Sequence, residues 1–224
     1  MEYYRLKNYG QLHTAKVPPR IQLSAITWLS RQLGMASFPR YLARLAAEEK
    51  RWKEFRFSEA EKRGITHEEF IEWVQRGIAT YVATVAVCGQ EKGEEIYSKF
   101  TVKHGPLCWR SFFPSAADFK KCPQPWQALR GYFIEYFRVN KAEGVFDYEM
   151  AQDTDNDLHF KLTDCAWHAM FSEGGCPNLA AIGAEVDVVF LPRLLGKLGG
   201  DFKREHWICK GDTTCDWHFF RHKT

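Results

Sequence analysis

The sequence predicts an α+β domain in which N-terminal helices pack on a C-terminal antiparallel sheet that ends in a β-hairpin. Two observations carry this expectation. Apolar residues recur at helical spacing from Ile21 to Phe137, and beyond Gly144 the period changes from 3.6 to 2. A third bounds it: 224 residues, 45% hydrophobic and 26% charged, are ordinary usage for one globular domain with its own core. Residues 1–224 therefore read as a single domain, mainly helical over 1–143 and sheet-containing over 144–224.

After Pro18-Pro19, residues Ile21, Ala25, Trp28 and Leu29 share one helical face, and Leu42, Leu45, Trp52 and Phe55 continue the pattern beyond Phe38-Pro39. Ser58 with Glu61, and Thr66 with Glu69, have the spacing of capping boxes. From Thr66 the set Phe70, Val74, Ile78, Tyr81, Val85 and Cys88 predicts a long helix to about Gly89, resuming through Glu94 to Phe100. Residues 104–125 carry four prolines and read as a loop or short-helix region, whose Trp109, Phe112 and Phe113 either cover a pocket or anchor the connection. Trp126, Leu129, Phe133, Tyr136 and Phe137 mark a further amphipathic helix. The alternation of Phe146, Tyr148 and Met150, the polar turn QDTDND and the run HFKLTDC predict a hairpin. AWHAMFSE is a short helix ended by Gly174-Gly175, and Pro177 opens another. Strands near 201–210 and 215–221, joined across GDTT, close the chain.

The net charge is +3, from 31 Lys and Arg against 28 Asp and Glu, and the two signs are interspersed, so nucleic acid is not an expected partner. No run approaches the ~18 apolar residues of a membrane span, and MEYYRLKNYG lacks the apolar centre of a signal peptide. The expectation is a cytoplasmic protein with no membrane partner, a small-molecule substrate, and homo-oligomerisation left open. Seven cysteines without a CxxC spacing read as free thiols, not as a disulfide framework or zinc knuckle. No metal and no cofactor is expected. Eight Trp, nine Tyr and seventeen Phe suit both a core and the lining of a pocket for a flat ligand.

Four positions suggest chemistry. Cys165 ends a strand, and His168 follows on the first turn of a helix whose N-terminal amides favour a thiolate. Asp187 interrupts Val186, Val188, Val189 and Phe190, where a carboxylate needs a partner, either a substrate amidine, His168, or Arg193 or Arg204. Arg204 offers a planar fork to a substrate carboxylate. If Cys209 pairs with Cys215, then Arg204, His206, Asp216 and His218 share one face; a shift of one residue brings Cys215, Trp217 and Trp207 there instead. Trp167 and Cys215 complete the candidate binding residues.

The order of strand, Cys165, short helix, Gly-Gly, helix with Asp187, strand with Phe202 and Arg204, and GDTTCDWHF resembles the L-2-amino-thiazoline-4-carboxylic acid hydrolase family over roughly residues 145–220. The Gly-Asp turn before Cys-Asp also occurs in vinyl-reductase-like small-molecule domains. The family pattern places a Cys three positions before the helix Asp, where this chain has Ala184. The resemblance implies a hydrolase that opens a cyclic amidine or thiazoline-type ring at a C–N or C–S bond, giving an N-carbamoyl thiol amino acid. In that reading Cys165 is the nucleophile and His168 its base, Asp187 holds the amidine and Arg204 the carboxylate. The alternative is a sensor or carrier domain of the same fold that binds without cleaving. A pocket containing Cys165 and Asp187 favours the enzyme, and a wide apolar cavity remote from them favours the sensor.

Overall fold

The computed structural model describes residues 17–222; the segment MEYYRLKNYG lies outside them. Among the described residues seven α-helices precede the sheet: α1 (Pro19–Leu33), α2 (Phe38–Lys53), α3 (Ser58–Lys62), α4 (Glu68–Cys88), α5 (Gln90–Phe112), α6 (Ala116–Phe119) and α7 (Pro125–Ala142). Then come β1 (Phe146–Asp153), β2 (Asp157–Cys165), α8 (Ala166–Glu173), α9 (Asn178–Leu195), β3 (Gly200–Lys203) and β4 (Cys215–Arg221). All strand pairs are antiparallel, in the order β1-β2-β4-β3, which bears out the α+β expectation.

Three expected details of the helical part differ. Residues 104–112 are not a loop, since α5 runs through Pro106 to Phe112. Proline removes one helical hydrogen bond, but burial of the turns around it holds the helix together: Trp109 stacks on Phe113, whose ring lies in the core. Trp109 and Phe113 thus anchor the segment, while the side chain of Phe112 lies outside the described ones. The two capping boxes do not form. Phe57 and His67 hold the cap positions without side-chain cap bonds, and the first amides of α3 donate to Glu173 at the end of α8, Ser58 N at 2.7 Å and Glu59 N at 3.0 Å. Leu42, counted on the apolar face of α2, is exposed.

Alternation along β4 sends Cys215, Trp217 and Phe219 to one face of the sheet and Asp216, His218 and Phe220 to the other. The first face meets α7. Phe133 lies 4.4 Å from Phe219 and Phe137 4.1 Å from Phe160, centroid to centroid. On its other flank the sheet meets α9 through β3. Helix α9 lies close against α5, because a Cβ at Gly105 would stand 2.5 Å from Val186 Cγ2. Glycine at 105 is therefore what lets the helix carrying Asp187 approach.

The terminal hairpin is shorter than expected. β3 ends at Lys203, which faces His218, and residues 204–214 form a loop containing a 3₁₀ turn at Ile208–Lys210. Cys209 and Cys215 are not cross-strand partners. The observed register differs from the expected one by an odd number of residues, and an odd slip moves every side chain to the opposite face. Arg204 accordingly lies on the Trp217 side, while Asp216 and His218 face away, so Arg204, His206, Asp216 and His218 do not share a face.

Candidate functional site

Below the sheet, the end of β2, α7, α9 and the β3–β4 loop converge on one buried cluster. Asp187, 5% exposed, is reached from α9. Its Oδ2 accepts from Arg204 at 2.6 Å, and Oδ1 has no hydrogen bond among the described residues. Burial pushes the Asp187 carboxyl up to about 6, and Arg204 opposes that rise. Arg204 has the rest of its fork engaged as well, with Nε donating to the Asp216 carbonyl at 3.2 Å and a longer contact of 3.4 Å to the Ala184 carbonyl. Its guanidinium lies 4.8 Å from the ring centroid of Trp217 and 5.1 Å from that of Trp207, which adds cation–π attraction in a desolvated place.

Cys165 is the residue from which α8 starts. The amides of His168 and Trp167 bear on its sulfur and favour the thiolate, as expected of a helix N-terminus. Burial outweighs them and pushes the thiol up to about 12, although the residue as a whole is only half-buried. The influence of His168 on Cys165 comes through its backbone, and His168 Nδ1 is buried without a hydrogen-bond partner. Trp167 packs edge-on against Phe70 at 4.7 Å, on the helical side of the site.

Cys215 joins this cluster. Its sulfur accepts from Ile208 N at 3.0 Å, and Arg204 and the Cys209 amide favour its thiolate, although burial still raises it. Cys209 is pushed up to about 11 by burial, and Tyr136 is raised by burial and by the nearby Asp187 and Cys165. Tyr136 and Cys209 have no sequence signal as site residues, since one reads as part of a core face and the other as a strand residue. All described cysteines are free thiols.

The model for the L-2-amino-thiazoline-4-carboxylic acid hydrolases matches residues 54–219, which takes in α3 to β4 and every residue of the cluster. The chain belongs to this family. No curated protein and no solved structure matches it. The hydrolase family region leaves out α1 and α2, which pack Leu29, Leu33 and Tyr41 against Ala83 and Ile96 as a second small core.

The remaining sequence candidates sit apart from the thiols of the family region. On the outer sheet face His159 lies 3.1 Å from Asp216, His218 pairs with Asp157, and the two imidazoles stack at 4.7 Å. His206 is exposed, and its Nε2 is 3.9 Å from Asp216. His159 carried no sequence signal, because its meeting with Asp216 depends on strand register. A surface cleft of about 410 Å³ between α1 and α5, lined in part by Arg20, Trp28, Arg31 and Lys103, contains neither Cys165 nor Asp187. Among the described residues no three His, Cys, Asp or Glu side chains converge as a metal site, and no helix is long and apolar enough to cross a membrane.

Proposed function

We propose that the chain hydrolyses a small cyclic amidine of the 2-aminothiazoline-4-carboxylate type, with Cys165 as nucleophile. The observation that carries this reading is a thiol at a helix N-terminus in the same buried cluster as the Asp187–Arg204 pair. Such a substrate is itself a zwitterion, so the buried pair offers each charge its opposite. The free Oδ1 of Asp187 takes the amidinium, and the carboxylate faces Arg204. An amidinium beside Cys165 also favours the thiolate, which offsets the burial that otherwise keeps the thiol protonated.

The reaction balances as follows. His168 takes the Cys165 proton, and the sulfur bonds to the amidine carbon. The ring C–S bond breaks, its electron pair leaving on the ring sulfur, which takes up a proton. Water then adds to the same carbon and gives up its protons as its oxygen becomes the carbamoyl oxygen; the bond to Cys165 breaks with its electron pair on the sulfur, which regains its proton from His168, and an N-carbamoyl thiol amino acid departs. C–S cleavage is favoured because a thiol is a far better leaving group than an amine. We place this activity in the cytoplasm, on a free small molecule and without nucleic acid.

The test is incubation of the purified protein with L-2-aminothiazoline-4-carboxylate, following thiol release and intact mass. Release of one thiol per turnover and a mass adduct on Cys165 are expected, and Cys165→Ser should lose both. Turnover retained in Cys165→Ser refutes the nucleophile. Release of an amine without a thiol shows C–N cleavage, and binding without turnover supports the sensor reading instead.

A further inference from the structure

The sequence motif Gly211-Asp212-Thr213-Thr214-Cys215-Asp216 builds a loop whose purpose is visible in its hydrogen bonds. Gly211 sits at φ +102°, a conformation that strains any residue with a Cβ, and closes the 3₁₀ turn through its amide to Ile208 O at 3.0 Å. Asp212 accepts the Trp207 amide at 2.7 Å, and Asp216 accepts the His206 amide at 3.1 Å through its carboxylate. The Asp216 amide returns a bond to His206 O at 3.1 Å. These clamps hold both ends of residues 206–212, and the turn between them directs the Ile208 amide onto Cys215 Sγ at 3.0 Å. The next amide, that of Cys209, bears on the same sulfur. Arg204, held to Asp216 O on one side and Asp187 on the other, supplies a fixed positive charge nearby.

Successive backbone amides aimed at one atom form an anion-stabilising concavity. A sulfur whose lone pair is taken by an amide keeps its S–H as the group left to donate. Burial favours the protonated thiol in the resting site, whereas the amides and Arg204 favour the thiolate once a proton has left. A group held in that way suits reversible proton transfer. Cys165 and Cys215 are close enough to influence one another, and both lie on the inner side of the sheet.

We infer that Cys215 is the acid–base residue of this site: its thiol protonates the ring sulfur as the C–S bond breaks, and its thiolate, held by the Ile208 and Cys209 amides, then takes a proton from the attacking water. The role rests on the ring C–S cleavage proposed above. It answers a need of that mechanism, since a bare thiolate cannot be released into a buried site without a donor. Each proton is accounted for, because Cys215 gives one in the first half and regains one in the second. Asp212 and Asp216 are positioning residues for this sulfur, and Ile208 and Cys209 act through their backbone amides alone.

The experiment compares wild type, Cys215→Ser and Cys165→Ser on L-2-aminothiazoline-4-carboxylate across pH, with thermal melting to verify folding. Serine keeps an acceptor for the amides but is far too weak an acid. Turnover in Cys215→Ser should fall at least about 100-fold, the alkaline limb of the wild-type kcat profile should vanish, and KM should change little. Adduct formation on Cys165 should slow as well, because the departing ring sulfur has lost its proton donor. Turnover within about threefold of wild type, or a uniform loss with the pH profile unchanged, overturns the assignment; the second result marks a purely structural cysteine. Should Cys215→Ser fail to fold, the same profile is read on Cys215→Ala. Full activity in Cys165→Ser together with loss of the alkaline limb in Cys215→Ser would sink the Cys165 reading and leave the acid–base role of Cys215 standing.

Discussion

Replacing Arg204 by Met removes the cation from a buried pair while keeping most of the side-chain volume. Asp187 stands at about 6 in the folded protein against an ordinary 3.8, so the folded state holds this proton more tightly than the unfolded chain does. Its contribution to stability is therefore most favourable below about pH 4, falls as pH rises between about 4 and 6, and is constant above. A shift of about two units at about 1.4 kcal/mol each makes that fall about 3 kcal/mol. Without Arg204 the carboxyl rises further, and at pH 8 the variant must either bury an unpaired charge or bind a proton against the pH. The expected loss at pH 8 is about 3–5 kcal/mol. At pH 4.5 Asp187 is neutral in the variant, and only hydrogen bonds and stacking on Trp207 and Trp217 are lost, about 1–2 kcal/mol. Urea denaturation followed by tryptophan fluorescence at the two pH values measures both. Adding Asp187→Leu to Arg204→Met should recover most of the loss at pH 8, since an apolar pair leaves no buried charge. Equal losses at pH 4.5 and pH 8, or no recovery in the double variant, would refute this account of the pair.

Glu173→Ala should lower stability by about 1 kcal/mol, because the Ser58 and Glu59 amides lose the carboxylate that caps α3; an unchanged urea midpoint would show that water replaces it at no cost. For the ligand-free protein, iodoacetamide should label Cys165 slowly at pH 7 and about tenfold faster per pH unit above it, because burial outweighs the helix amides that alone would favour early labelling. Rapid, selective labelling of Cys165 at neutral pH would mean that its thiolate already exists without substrate.

The helices and strands of this protein are written in its periodicity. The apolar sets on α4 and α7, the switch to alternation at Phe146, and Pro177 before α9 each mark an element through local rules that need no distant partner. Asp187 was also legible, because a carboxylate among valines has to be buried beside a cation, and Arg204 was among the candidates. Local rules failed where the deciding atom came from far along the chain. The cap of α3 is Glu173, more than a hundred residues away, and the turns of α5 beyond Pro106 are held by core packing around Trp109 and Phe113. Strand register was the largest such gap. Alternation says that Arg204 and Asp216 each choose a face but not which face the other takes, and an odd shift in pairing sends Arg204 to Trp217 and Asp187 while turning Asp216 toward His159. Residue types therefore settled which groups were available, and only the packing of α9, the β3–β4 loop and the end of β2 decided that the three thiols, Tyr136 and the ion pair share one low-dielectric site.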